Sequence, residues 1–118
     1  MKDSRDIAQK DLNAIVKCIE KTRAKRIVIT HGTYTMPDTA RYLKHKLKLQ
    51  DKTIVFTASM IPLAGFTPSD APFNLGYAFS QVKILEPGIY VCMNGRTFSG
   101  DNVRKVLAEG KFDSIYTK

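Results

Sequence analysis

Long apolar runs are missing from this sequence, and none approaches the ~20 residues that a membrane-spanning helix requires. The opening residues, MKDSRDIAQ, hold no apolar signal core, so the expectation is a cytoplasmic protein with no membrane partner. Cysteine is scarce. Cys18 and Cys92 lie far apart, each among apolar neighbours, and read as buried thiols of a reducing compartment rather than a disulfide or metal pair. His31 and His45 have no carboxylate at ligand spacing, so no metal site is expected and each reads as a turn or surface histidine. No G-x-G-x-x-G follows a strand and no G-x-x-x-x-G-K-[ST] occurs, which argues against dinucleotide and P-loop sites. The G-x-S-x-G nucleophile elbow is absent too. Acidic residues are outnumbered, 11 against 19 Lys and Arg, giving a formal charge of +8. The densest basic stretch is Arg41, Lys44, Lys46, Lys48 and Lys52. No row of aromatic stacking platforms is interleaved with it and no RNA- or DNA-binding motif appears. A solvated helix end accounts for it better than a nucleic-acid surface.

What is present is enough for one domain. A chain of 118 residues, 43% of them hydrophobic, can bury a core but is short for two domains, so residues 1–118 are read as a single unit. Ala8, Leu12, Ile15, Val16 and Ile19 share one face of an amphipathic helix expected over roughly 6–23, begun by Ser4 or Asp6. Residues 26–30 read as a strand. A second helix over about 37–48 should bury Met36, Ala40, Leu43 and Leu47. Thr53–Thr57 is the next strand, and a Pro- and Gly-containing loop runs from Ala58 to Asp70. Ser69 or Asp70 is expected to cap a third helix with Pro72 in its first turn and Leu75, Ala78, Phe79 and Val82 as its buried face. Ile89–Met93 is a further strand, and Asn94-Gly95 is a strong hairpin signal that should fold Arg96–Phe98 back antiparallel. A short helix is expected near Asn102–Ala108 and a strand after it. Nearly continuous apolar strands alternating with helices imply an α/β three-layer sandwich, Rossmann-like, with a mostly parallel sheet and an antiparallel hairpin near the C-terminus.

Residues 26–40, RIVITHGTYTMPDTA, are the most informative stretch. The strand runs straight into His31-Gly32-Thr33-Tyr34-Thr35, and Pro37 then opens the second helix. Thr35 can cap that helix, with Asp38 three residues on as the short partner of a capping box. Thr33 thereby stands at the carboxyl end of a strand and beside a helix N-terminus, where backbone N–H groups favour developing negative charge. Ligands bind at such strand ends in open α/β sheets. A bare G-T-x-T is equally compatible with a βα turn carrying spare threonines.

The blocks KDSRDI (2–7), ITHGTYTMPDTA (29–40), DKTIVFTASMIP (51–62), SDAPFNLGYA (69–78) and PGIYVCMNG (87–95), followed by VRK (103–105), resemble the N-terminal domain of L-asparaginases. They occur in family order at compatible spacing over nearly the whole chain. The resemblance implies hydrolysis of an asparagine or glutamine side-chain amide by a threonine nucleophile, with no cofactor and a small-molecule amide as substrate. By motif position it implies Thr33 and Lys105 as catalytic residues. It implies Ser4 and Arg5, Gly32 and Tyr34, and Ser59 and Met60 as substrate-binding residues, Ser4 on the α-carboxylate and Ser59 at the pocket-lining turn. Lys105 must lose its proton to serve as a base, which requires burial or a nearby cation. Tyr34 stands where the family motif has aspartate (HGTYTM against HGTDTM). A neutral phenol cannot pair with a substrate α-ammonium, so weak binding of a free amino acid, or a different ligand lacking that ammonium group, is expected.

The family pattern also begins with an apolar strand and a G-G-T-I loop, whose threonine is the primary nucleophile, ahead of the KDSRDI block. This sequence starts at that block, so it reads as truncated relative to the family. An unpaired edge beside residues 26–30 and a homo-oligomer are the expected consequences. A non-catalytic ligand-binding or assembly domain of the same fold is the competing reading, and a basic nucleic-acid binder a distant one.

Overall fold

The computed structural model describes residues 8–47, 51–61, 68–106 and 111–115. The elements follow as α1 (Gln9–Lys21), β1 (Arg26–Thr30), α2 (Met36–Lys46), β2 (Thr53–Thr57), α3 (Ala71–Val82), β3 (Gly88–Met93), β4 (Arg96–Ser99), β5 (Arg104–Val106) and β6 (Lys111–Asp113). The main sheet has the order β1-β2-β3-β4. Its first three strands are parallel, with Arg26 level with Thr53 and Thr53 level with Gly88, and β4 returns antiparallel to β3.

Alternation along the central strands builds two cores. Ile54 and Phe56 of β2 join Ile89, Val91 and Met93 of β3 beneath Ile19 of α1 and Met36, Ala40 and Leu43 of α2. Val55 and Cys92 face the other way, onto Ala78 and Val82 of α3. The result is helix, sheet and helix in three layers. Every residue of β2 is buried, as its near-continuous apolar sequence requires, and its flanking threonines satisfy their hydroxyls internally. Thr53 Oγ1 donates to Leu85 O and Thr57 Oγ1 to Cys92 O. Among the described residues β1 is an edge of the sheet, and it is only half-covered.

The hairpin forms as its sequence demands. Asn94 (φ 53°) and Gly95 (φ 72°) both take the left-handed region, the geometry of a two-residue turn that matches strand twist.

Several sequence expectations are corrected. α1 begins at Gln9, after Ala8, and the expected caps Ser4 and Asp6 lie outside the described residues. Asp11 supplies the terminus instead, its carboxylate accepting the Ala8 N–H at 2.9 Å. Thr35 is the N-cap residue of α2 but makes no side-chain cap bond, and Asp38, the expected partner of a capping box, pairs with Arg41 at 2.7 Å. Cys18 is exposed rather than buried; Ile19 takes the inward position on α1, while Cys92 is buried as expected. Ala78 and Val82 of α3 are buried as expected, but Asn74 completes the inward stripe and Leu75 and Phe79 lie outside.

The expected helix near Asn102–Ala108 is a strand where it is described. β5 pairs antiparallel with β6, Lys105 opposite Phe112. The Arg41 guanidinium of α2 donates to the carbonyl of Val103, just ahead of this strand, at 2.8 Å. The basic stretch is likewise engaged at home. Lys44 pairs with Asp101 at 3.2 Å, Lys46 lies 5.9 Å from the Tyr42 ring centre, and Lys52 donates to the carbonyls of Thr22 and Ala24. Lys48 lies outside the described residues. Among the described residues no helix is long and apolar enough to cross a membrane, and no three His, Cys, Asp or Glu side chains cluster as metal ligands.

Candidate active site

The parallel register sets the site. Thr30 of β1 is level with Thr57 of β2, and the next residue, His31, continues the ladder by donating its N–H to Thr57 O at 3.0 Å. The segments leaving both strands therefore share the carboxyl rim of the sheet, where α/β proteins bind ligands.

The first wall is the turn from β1 into α2. His31 locks it from within: Nδ1 lies 2.7 Å from Gly32 O and Nε2 lies 3.0 Å from Thr39 Oγ1. A carbonyl only accepts, so Nδ1 carries the proton and neutral Nε2 accepts from the Thr39 hydroxyl. The ring meets Phe56 edge-on at 6.0 Å. Burial depresses the His31 pKa against the opposing pull of the Gly32 carbonyl, so the imidazole is neutral near pH 7. Beyond it Gly32 is exposed, Thr33 half-buried, and Tyr34 51% exposed. Thr33 precedes the α2 N-terminus by a few residues, within the partial positive field of that end.

The second wall is the segment leaving β2. Ala58 is buried, Ser59 half-buried, and the Met60 side chain packs partly against the core. Its backbone is held from α3. The Asp70 carboxylate accepts the N–H groups of Met60 at 3.0 Å and Ile61 at 2.9 Å. Asn74, fully buried, donates from Nδ2 to Ala58 O and to Asp70 Oδ2, both at 2.9 Å, and accepts the Asn94 N–H on Oδ1 at 3.1 Å. Ser69 Oγ donates to Ile61 O and accepts the Ala71 N–H. Of the expected caps Ser69 and Asp70, Asp70 is the N-cap residue of α3 but makes no side-chain cap bond, its carboxylate clamping the preceding segment instead. Partial burial pushes its pKa up, but the Met60, Ile61 and Asn74 donors outweigh that and hold it below the usual carboxylate range.

Of the residues singled out from sequence, Gly32, Thr33 and Tyr34 thus lie on one wall and Ser59 and Met60 on the other. Lys105 sits in β5, two residues beyond the Val103 carbonyl that Arg41 of α2 holds. Ser4 and Arg5 lie outside the described residues. Sequence reasoning missed the His31–Thr39 bridge and the Asp70–Asn74 clamp. One signal was available for the clamp: Asn74 shares the helical phase of Ala78 and Val82, which marks a polar group aimed inward.

A profile of the asparaginase N-terminal domain matches residues 1–116. The chain belongs to the asparaginase family. It is 38% identical over 91 residues to an L-asparaginase of Thermococcus kodakarensis, covering 75% of this chain and 27% of that protein. It is 33% identical over 109 residues to a glutaminase-asparaginase of Acinetobacter glutaminasificans, covering 86% and 32%. The solved structure of the thermostable Thermococcus kodakarensis L-asparaginase superposes with a TM-score of 0.87 at 32% identity, over 99% of this chain and 37% of that one. A probable cytoplasmic L-asparaginase from Campylobacter jejuni gives a TM-score of 0.75 at 29% identity, over 88% and 34%. The asparaginase fold therefore extends over the chain, which spans about a third of these relatives' length.

Proposed function

We propose that this asparaginase-family domain acts on the side-chain amide of an asparagine- or glutamine-like small molecule in the cytoplasm, with Thr33 as nucleophile. The observation that carries this reading is the shared rim, where the Gly32–Tyr34 turn and the Ser59–Met60 segment flank the ends of paired strands. The Thr33 hydroxyl attacks the amide carbon, and Lys105, as free amine, takes its proton. The tetrahedral oxyanion develops beside the α2 N-terminus, the C–N bond breaks, and the proton leaves with ammonia. Water then adds to the acyl-enzyme and releases the acid. Ser4 and Arg5 grip the substrate α-carboxylate, while Gly32, Tyr34, Ser59 and Met60 line the cleft. No cofactor takes part in this scheme.

One feature tempers the rate: Tyr34 brings no charge to a substrate ammonium. The expected activity with L-asparagine is weak. The half-covered edge of β1 favours pairing with another strand, so residues 1–118 are proposed to work as one domain within a homo-oligomer.

Ammonia release from L-asparagine and L-glutamine, compared between the protein and its Thr33→Ala variant, tests the reading. Release by the parent that the variant loses supports it. Equal release from both removes the catalytic assignment and leaves a non-catalytic domain that binds a small ligand at the same strand ends.

A further inference from the structure

The β3–β4 hairpin turns on the Asn94-Gly95 pair, and no other asparagine of the sequence is followed by glycine. Asn13, Asn74 and Asn102 precede Ala, Leu and Val, whose side chains screen the next backbone nitrogen. Gly95 offers no such screen, and a Cβ built on it would meet only the Phe73 ring, at 3.7 Å. The asparagines also differ in their bonding. Asn74 is fully buried, with Nδ2 and Oδ1 both engaged, and Asn13 Oδ1 accepts from Gln9 and Tyr42. Asn94 and Gly95 are exposed. The Asn94 N–H donates to Asn74 Oδ1 at 3.1 Å, but among the described residues neither the Asn94 carboxamide nor the Gly95 N–H has a hydrogen-bond partner. An electrophilic amide carbon and an unscreened nitrogen thus sit on adjacent residues in contact with water, placed to close a five-membered ring.

We propose that Asn94 is a site of spontaneous deamidation, and that the isoaspartate it yields releases the hairpin from the Asn74 clamp. The Gly95 nitrogen gives up its proton to solvent and bonds to Cγ of Asn94. The Cγ–Nδ2 bond breaks, and the nitrogen takes a proton from solvent and leaves as ammonia. The cyclic imide then consumes one water. Opening at Cγ leaves an ordinary aspartate at position 94, whereas opening at the backbone carbonyl leaves isoaspartate, with the chain running through Cγ. Water is the only co-reactant.

The two products have different structural consequences. Asp-Gly closes the same two-residue turn as Asn-Gly, so the aspartate product keeps the hairpin and lowers the formal charge of +8 by one. Isoaspartate inserts a methylene into the backbone between the paired residues Met93 and Arg96, so the turn no longer closes in register. It also puts a carboxylate on the carbon bearing the N–H that Asn74 Oδ1 accepts. Asn74 donates to Ala58 O and Asp70 Oδ2, so the loss reaches the segment after β2. Ring closure needs rotation about the Asn94 Cα–C bond, which the closed turn, with φ of 53° and 72°, resists. Local opening of the hairpin therefore sets the rate.

Peptide mapping by mass spectrometry is the test, on the 118-residue chain held in warm, mildly alkaline buffer beside a free peptide of residues 90–98 (YVCMNGRTF). The chain should convert at position 94 more slowly than the peptide, to aspartate and isoaspartate, while Asn13 and Asn74 keep their carboxamides. Thr33→Ala should convert at the parent rate, because the step is intramolecular and separate from the proposed active site. Asn94→Asp matches the deamidated chain in mass and charge. The isoaspartate fraction, separated by ion exchange, should melt several degrees below it. An intact Asn94 after the peptide has fully converted overturns the site. A Thr33→Ala variant that keeps its carboxamide overturns the intramolecular route. Aspartate as the sole product, or an isoaspartate fraction that melts with Asn94→Asp, overturns the release of the clamp.

Discussion

Two connections leave the same rim and are held in opposite ways. The β1–α2 turn is pinned by its own first residue, whose ring reaches Gly32 and Thr39, one and eight positions along. The segment after β2 is pinned from outside, by Asp70 and Asn74 of the following helix and through Asn74 to the β3–β4 hairpin at Asn94. The side-chain bonds of the first are local, while the His31 N–H and ring edge tie it to Thr57 and Phe56 of β2. The second joins strand, helix and hairpin through one buried amide. The turn that carries Thr33 can therefore be altered with less disturbance to the rest than the segment after β2.

The largest effect should follow from breaking that amide. Asn74→Leu keeps the volume but strands the Ala58 carbonyl and the Asn94 N–H and removes a donor from Asp70, for a loss of about 2–4 kcal/mol by urea denaturation. Asp70→Ala frees the Met60 and Ile61 N–H groups at a partly solvated position, and should cost about 1–2 kcal/mol. The Asp70 pKa is depressed in the folded state, so its contribution is present above the unfolded carboxylate value, near 3.9, and is lost as pH falls through the folded value. Melting temperatures should show the gap between parent and Asp70→Ala narrowing as pH drops below about 4.

Thr39→Val sharpens the comparison from the other side. It removes the hydroxyl that donates to His31 Nε2 and should cost about 1 kcal/mol. If the two connections are independent, its effect adds to that of Asn74→Leu within about 0.5 kcal/mol, and a larger coupling would show that the walls are one unit. His31 supplies the pH signature of this turn. Burial lowers its folded pKa, so stability tied to the neutral ring is complete above the unfolded value of about 6.5 and declines as pH falls towards the folded one. Thermal melts between about pH 8 and pH 5 should show this decline in the parent and its absence in His31→Gln.

These contacts also mark where the sequence was legible. Continuous apolar strands and the Asn94-Gly95 signal determine β1 to β4 and the hairpin because period and turn chemistry act locally. The face of α3 was legible at Ala78 and Val82 but not at Asn74, which counts as polar in any periodicity and whose burial depends on partners at Ala58 and Asn94 that are remote in sequence. β5 was misread for a similar reason, since it is a strand through its pairing with β6, a contact that local periodicity does not reveal. At the site, Gly32 to Tyr34 were found from strand-then-helix punctuation, and the Ser59 segment through family resemblance. What fixes that segment in place was visible only in three dimensions.

The smallest effect is expected at Tyr34, and its size follows from exposure. In a desolvated site, replacing the tyrosine with the aspartate of the family motif would restore an ion pair worth several kcal/mol to an amino-acid substrate. With 51% of Tyr34 open to solvent, a carboxylate at this position stays hydrated and salt-screened. Its attraction for an α-ammonium then falls to the ~0.2–1 kcal/mol of an exposed pair, at most about fivefold in affinity. Tyr34→Asp should leave thermal stability within about 0.5 kcal/mol of the parent, as befits a surface exchange on the β1–α2 turn. Titration calorimetry with L-asparagine at low and high salt is the check. A gain of a hundredfold or more, insensitive to salt, would mean that ligand binding closes this wall and dries it, making the turn far less rigid than the His31 bridge implies.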